Sequence, residues 1–121
     1  MSTVLIIDDS PTELHLFQNM LEKNGFETLV ADSGEEGLKQ AVMRHPDCIL
    51  MDVVMPGMNG FQATRKLNKD PKTSNIPVII ITAKDQETDK IWGMRQGAVE
   101  YLVKPVSEKQ LVNMINAVMA A

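Results

Sequence analysis

Asp8, Asp9, Asp52, Thr82 and Lys104 all stand at the carboxyl ends of short, uninterrupted apolar runs: Val4 to Ile7, Cys48 to Met51, Val78 to Ile81 and Tyr101 to Val103. A lone Asp in such a place is ordinarily a turn or helix-cap residue. Five polar side chains become a site if the runs are neighbouring strands whose ends open on one crevice. Three carboxylates brought close together repel, and each raises the cost of ionising the others. A hard divalent cation relieves that repulsion. Mg2+ is the expected occupant, because it keeps several waters and takes one or two carboxylates plus a phosphate, and Mn2+ could substitute. Asp52 then has a second role open to it, since a carboxylate can accept a phosphoryl group and become an acyl phosphate. Lys104 would pair with one phosphoryl oxygen and the Thr82 hydroxyl would donate to another; positioning and charge neutralisation are most of what phosphoryl transfer asks of a protein.

The elements needed to bring these residues together can be read from the spacing. Apolar runs without alternation are what strands show when helices cover both faces of a parallel sheet, and Leu29 to Ala31 adds a weaker fifth run. Between the runs lie helical patterns. Ser10-Pro11-Thr12-Glu13 offers Ser as N-cap, Pro at the first helical position and Glu at the third. Leu14, Phe17 and Leu21 follow on one face, with a stop at Asn24-Gly25. Ser33-Gly34-Glu35-Glu36 repeats the capping-box spacing and directs Leu38, Ala41 and Val42 inward before Pro46. A third helix is expected from Phe61 to about Lys69 and a fourth from about Gln86 to Gln96. The fifth opens with the capping box Ser107-Glu108-Lys109-Gln110 and buries Leu111, Met114, Ile115 and Val118. Strand and helix alternate five times, which predicts a doubly wound α/β sheet. Right-handed crossovers leave few topologies, of which the flavodoxin-like strand order 2-1-3-4-5 is the commonest for five strands, and ligands of such sheets bind beyond the carboxyl ends of the strands.

Composition narrows the class. At 121 residues the chain predicts one domain, with 44% hydrophobic and 23% charged residues as in ordinary globular proteins. Twelve Lys and Arg against sixteen Asp and Glu give a net charge of -4, and the absence of a long basic stripe argues against nucleic-acid binding. No apolar stretch approaches the roughly 20 residues that span a bilayer, and none reads as a signal peptide. The single cysteine, Cys48, sits inside a strand run, so an inert buried thiol and a cytoplasmic setting are expected.

At the strand ends the sequence resembles the receiver domains of two-component response regulators, the CheY-like family. The likeness runs from Ile6-Ile7-Asp8-Asp9-Ser10 through Met51-Asp52-Val53-Val54-Met55-Pro56-Gly57-Met58-Asn59-Gly60 and Ile81-Thr82-Ala83 to Lys104-Pro105. Ser10 to Glu13 and Lys84 to Lys90 resemble, more narrowly, a stand-alone receiver of type IV pilus twitching-motility signalling. The resemblance implies a non-enzymatic signalling protein that assists its own phosphorylation and dephosphorylation. Asp52 would be the phosphoacceptor, fed by a histidine kinase. Asp9 and Asp52 would ligate Mg2+ directly, with the Val54 backbone carbonyl as a further ligand and Asp8 acting through a water. Thr82, Lys104 and the Ala83 backbone N–H would contact the phosphoryl group, and Lys104-Pro105 would be cis. Tyr101 would be the switch aromatic, turning inward as Thr82 moves toward the phosphoryl group and reshaping the face of helix 4, strand 5 and helix 5.

Val54 and Lys84 stand two residues after Asp52 and Thr82, where relatives often carry groups that orient the water attacking the acyl phosphate; they are expected to tune its lifetime. His15 and His45 fall on predicted helix surfaces, without the partners of a catalytic histidine. Met20, Met51 and Met114 fit core positions, and Ile91 competes with Trp92 for the inward side of the fourth helix, which would leave the indole on the output face as a partner contact. The chain ends just after the fifth helix, so the expected organisation is a receiver over 1–121 without an output domain. It would be monomeric, with dimerisation on phosphorylation left open, and act on a downstream protein. A phosphate sink and a phosphorylation-independent interaction module are the alternatives. An aspartate-nucleophile hydrolase would show Asp-x-Asp after the first strand, a flavodoxin a Ser/Thr/Gly phosphate loop there, and Gly-x4-Gly-Lys is absent.

Overall fold

The computed structural model describes residues 2–120, so Met1 and Ala121, the ends of the expected domain, lie outside the described residues. Strands and helices alternate as β1 (Thr3–Ile7), α1 (Pro11–Lys23), β2 (Glu27–Ala31), α2 (Gly34–Arg44), β3 (Cys48–Met51), α3 (Gly60–Lys69), β4 (Val78–Thr82), α4 (Glu87–Arg95), β5 (Glu100–Val103) and α5 (Glu108–Ala120). The five strands form one parallel sheet in the order β2-β1-β3-β4-β5, as the sequence predicts.

Successive residues of each strand point to opposite faces, and both faces are covered. Leu5, Ile7, Ile49, Met51, Val78 and Ile80 pack with Ala41, Phe61, Ala63 and Leu67 on the side of α2 and α3. Val4, Ile6, Leu50, Ile79, Ile81 and Leu102 pack with Phe17, Leu21, Leu111 and Ile115 of α1 and α5. Of the expected core methionines Met51 is fully buried, while Met20 and Met114 are half-buried against the second cluster. Cys48 is buried in β3, and burial pushes its thiol up to about 12, so it is inert as a nucleophile.

Local expectations are corrected at four places. Val42 points outward, 41% exposed. The small residues Gly34, Gly37 and Ala41 form the buried stripe of α2, which leaves Val42 rotated off the contact. His45 is not on a helix surface; it is the C-cap of α2 at φ 45, in the left-handed region, where the restriction before Pro46 disfavours another helical residue. The capping boxes opened by Ser33 and Ser107 form only half: each Ser hydroxyl accepts from the N–H three residues on, at 3.1 Å in both cases, without the reciprocal bond. On α4 neither Ile91 nor Trp92 takes the inward side; they are 46% and 51% exposed, and Gly93 is buried instead. A Cβ on Gly93 would meet Ile80 Cδ1 at 2.9 Å and the Tyr101 ring at 3.0 Å, so the ring fills the space a side chain would need.

The turn from β3 into α3 depends on Gly60. Its N–H donates to the Val53 carbonyl at 2.9 Å, and a Cβ there would stand 2.0 Å from the Asp52 backbone oxygen. Rigid backbone cannot yield as a side-chain tip does. Gly60→Ala should therefore lose about 1–3 kcal/mol, the range of an overpacked interior site, despite the better helix propensity of Ala. Urea unfolding of the two proteins measures it.

Candidate functional site

The register brings the predicted residues together. Ile7 lies opposite Met51 between β1 and β3, so the residues that follow, Asp8 and Asp52, emerge level with each other. Met51 pairs with Ile80, and Thr82 pairs with Val103, which places Thr82 and Lys104 on the same edge of the sheet. The backbone holds these ends in place: Asp8 N–H donates to Ala31 O at 3.1 Å, Asp52 N–H to Ile7 O at 3.0 Å, and Lys104 N–H to Thr82 O at 2.9 Å. One carboxylate oxygen from each of Asp8, Asp9 and Asp52 falls within 4.8 Å of the others.

The three acids differ in setting. Asp8 is buried with both oxygens engaged, Oδ1 by the Ser10 N–H at 3.0 Å and Oδ2 by Lys104 Nζ at 3.1 Å. Asp9 is exposed at the mouth. Asp52 is half-buried, with Oδ1 accepting from its neighbour's Val53 N–H at 2.8 Å and Oδ2 3.9 Å from Lys104 Nζ. Its carboxyl is raised above the usual carboxylate range by burial and by the charge of Asp8, offset in part by Lys104, the Val53 N–H and the Thr82 hydroxyl. Lys104 is itself held above its ordinary value. Burial works against its charge, but Asp52, Asp8 and Glu13 outweigh that. Lys104 does lower the Asp52 carboxyl, but burial and the charge of Asp8 together outweigh it.

Hard oxygen donors of this number and spacing fit a small divalent cation. Asp9 and Asp52 offer accessible oxygens, while Asp8 is committed to Ser10 and Lys104. Among the flanking positions, Val54 is exposed, as is Ala83 directly after the buried Thr82. Lys84 is turned toward α4, its Nζ 3.6 Å from Asp89 Oδ1. Tyr101 is half-buried and its hydroxyl donates to the Lys84 carbonyl at 2.8 Å. Burial, with Asp89, Asp85 and Asp52, pushes that phenol up to about 12, so it stays a donor across the physiological range. The Lys104-Pro105 bond is cis. His15 is exposed, with Nε2 3.2 Å from Asn19 Nδ2 and no link to the pocket.

A profile described as the response regulator receiver domain matches residues 4–116. The chain belongs to the response regulator receiver family. The receiver is 59% identical to Protein PilH of Pseudomonas aeruginosa over 120 residues, which cover 99% of each chain. It is 38% identical over 117 residues to the phosphate regulon transcriptional regulatory protein PhoB of the same species, covering 97% of the receiver and 51% of that protein. The chemotaxis protein CheY4 of Vibrio cholerae superimposes with a TM-score of 0.92 at 30% identity, over 98% of each chain. CheY-like receivers thus share the architecture as well as the motifs. Among the described residues, no helix of the receiver is long and apolar enough to cross a membrane.

One residue of the pocket is missed by a reading of strand ends alone. Glu13, in the first turn of α1, places Oε1 3.4 Å from Lys104 Nζ. Its position three residues after an N-cap Ser supplies a sufficient local reason for a glutamate, which conceals the longer-range one.

The raised carboxyl of Asp52 carries a pH signature. Above its folded pKa the ionised group destabilises the fold. That cost falls as pH drops through the raised value and is gone below the ordinary value of 3.8. In metal-free buffer Asp52→Asn should therefore melt above the parent at pH 7, and the difference should shrink on acidification in thermal scans.

Proposed function

We propose that this receiver is a phosphoacceptor that takes a phosphoryl group from a histidine kinase onto Asp52 and signals through the face formed by α4, β5 and α5. The observation that carries it is the convergence of Asp8, Asp9 and Asp52 within 4.8 Å beside the ammonium of Lys104. Asp52 Oδ1 is occupied by the Val53 N–H, which leaves Oδ2 as the attacking oxygen. As its bond to phosphorus forms, the bond from phosphorus to the donor nitrogen breaks and its electron pair stays with the imidazole. Lys104, already 3.9 Å from Oδ2, would pair with one phosphoryl oxygen, and the Thr82 hydroxyl and Ala83 N–H would donate to others. Asp9, Asp52 and the Val54 carbonyl would hold Mg2+, with Asp8 acting through a water. Bound there, the ion supplies neutralisation of the charge on the phosphoryl oxygens.

The response would run through Thr82 and Tyr101. Thr82 sits at the end of β4, and the Tyr101 hydroxyl is tied to Lys84 two residues further on, so a shift of Thr82 toward the phosphoryl group disturbs the segment that seats the ring. Next to it Ile91, Trp92, Met94 and Val99 leave apolar surface exposed, which suits a protein target. The likeness to Protein PilH over nearly the whole of both chains supports a regulator acting through a separate protein, and we assign it to cytoplasmic signalling in type IV pilus twitching.

Incubation with Mg2+ and acetyl phosphate should add one phosphoryl mass to the intact protein, seen by mass spectrometry, and EDTA or Asp52→Asn should abolish it. Label that survives Asp52→Asn sinks the assignment. Val54 and Lys84 flank the acyl phosphate, and we assign them to its lifetime. Val54→Asn and Lys84→Glu should each shift the dephosphorylation rate several-fold, and rates equal to the parent in both would remove that role.

A further inference from the structure

Three carboxylates share the Lys104 ammonium, and one of them has no part in holding metal or phosphate. Glu13 Oε1 lies 3.4 Å from Nζ, nearer than Asp52 Oδ2 at 3.9 Å and only slightly farther than Asp8 Oδ2 at 3.1 Å. Phe17, one turn further along α1, sets its ring 5.9 Å from the same ammonium. α1 therefore flanks the lysine with a carboxylate and an aromatic face, both of which attract a cation.

The local hydrogen bonds explain why Glu13 is available. A glutamate three residues after an N-cap Ser normally reaches back to the Ser N–H. Here the Ser10 hydroxyl accepts from Glu13 N–H at 3.3 Å, but the Ser10 N–H is taken by Asp8 Oδ1 at 3.0 Å. The reciprocal half of the box has no donor left, and the Glu13 carboxylate turns to Lys104 instead. Its side chain is 31% exposed and the lysine's 16%, so solvent screens the pair only in part.

We propose that Glu13 is a positioning residue for phosphoryl acceptance: it holds the Lys104 ammonium toward α1 and thereby sets how readily the lysine turns to a phosphoryl group arriving at Asp52. This rests on Asp52 being the phosphoacceptor. With acetyl phosphate as donor, Asp52 Oδ2 bonds to phosphorus, the bond from phosphorus to the acetyl oxygen breaks, and acetate leaves with the electron pair. Lys104 stays protonated throughout and exchanges a carboxylate contact for a phosphoryl oxygen. Glu13 neither gives nor takes a proton; it competes for the lysine before the exchange.

Acetyl phosphate is the right probe because no kinase surface then contributes to the rate. Glu13→Gln keeps the shape and removes the charge, whereas Glu13→Asp keeps the charge on a side chain one methylene too short to reach Nζ. Both should accelerate phosphorylation of Asp52 by roughly threefold to tenfold, the scale of one partly screened ion pair. If Glu13→Gln accelerates while Glu13→Asp matches the parent, net charge alone accounts for the effect and the proposal is overturned. Unchanged or slower rates in both overturn it as well. A second readout needs neither metal nor donor: thermal unfolding in EDTA of the parent, Glu13→Gln, Lys104→Met and the double variant. Glu13→Gln should lower the midpoint by a few degrees in the parent but leave it unchanged or raise it beside Lys104→Met, where Glu13 faces Asp8 and Asp52 without a cation between them. An equal loss in both backgrounds makes Glu13 a helix-end residue and overturns the proposal. A parent that gains no phosphoryl group on Asp52 overturns the phosphoacceptor reading, and with it this role for Glu13, whatever the thermal cycle shows.

Discussion

The repulsion between Asp8 and Asp52 is the interaction around which the rest of the pocket is arranged. Neither residue can retreat. Each backbone N–H is tied to the neighbouring strand, and the pairing of Ile7 with Met51 delivers the two side chains at the same height. With the backbone fixed, the charge has to be met by what comes to it. Lys104 arrives from the far edge of the sheet, the Ser10 and Val53 N–H groups turn inward, and Asp9 is left outside in solvent. The compensation is incomplete, since Asp52 remains harder to ionise than a free aspartate. A pocket in this condition favours any cation that can enter it.

Much of this arrangement was legible in the sequence because strand-end chemistry follows from periodicity. Continuous apolar runs identify buried parallel strands, the alternation of elements limits their order, and the order determines which strand ends meet. Asp8, Asp52, Thr82 and Lys104 are found on that argument once the strand order is chosen, a choice that the resemblance to CheY-like receivers helps to make. What it misses lies in which side chain or atom wins a contact. Glu13 looked satisfied by a capping box until Asp8 proved to have taken the Ser10 N–H. Ile91 was expected to take an inward position that Gly93 holds instead, with the Tyr101 ring where a side chain would stand. Val42 looked periodic with Leu38 and Ala41, yet the small residues of α2 bring the helix so near to β1 that the contact stripe is narrow. Asp8 two residues before Ser10 was the available clue in the first case, because an Asp readily bonds the backbone N–H two positions on.

Four of the five helices put buried side chains against the sheet. α1 and α5 pin one side with Phe17, Leu21, Leu111 and Ile115, and α2 and α3 contribute Ala41, Phe61, Ala63 and Leu67 to the other. The Lys104 partners of α1 thus come from a well-anchored helix, which suits a contact that must hold its geometry. α4 is different, since the residue that it buries is Gly93.

That bareness sets a level of background. A helix that would surrender little apolar area on shifting has little to hold it in one place, and the free-energy gap between its arrangements is correspondingly small. A gap of about 2.7 kcal/mol leaves roughly one molecule in a hundred in the alternative arrangement. Under the proposed reading sensitivity and leakage are then the same quantity, and the buried glycine of α4 bears on both.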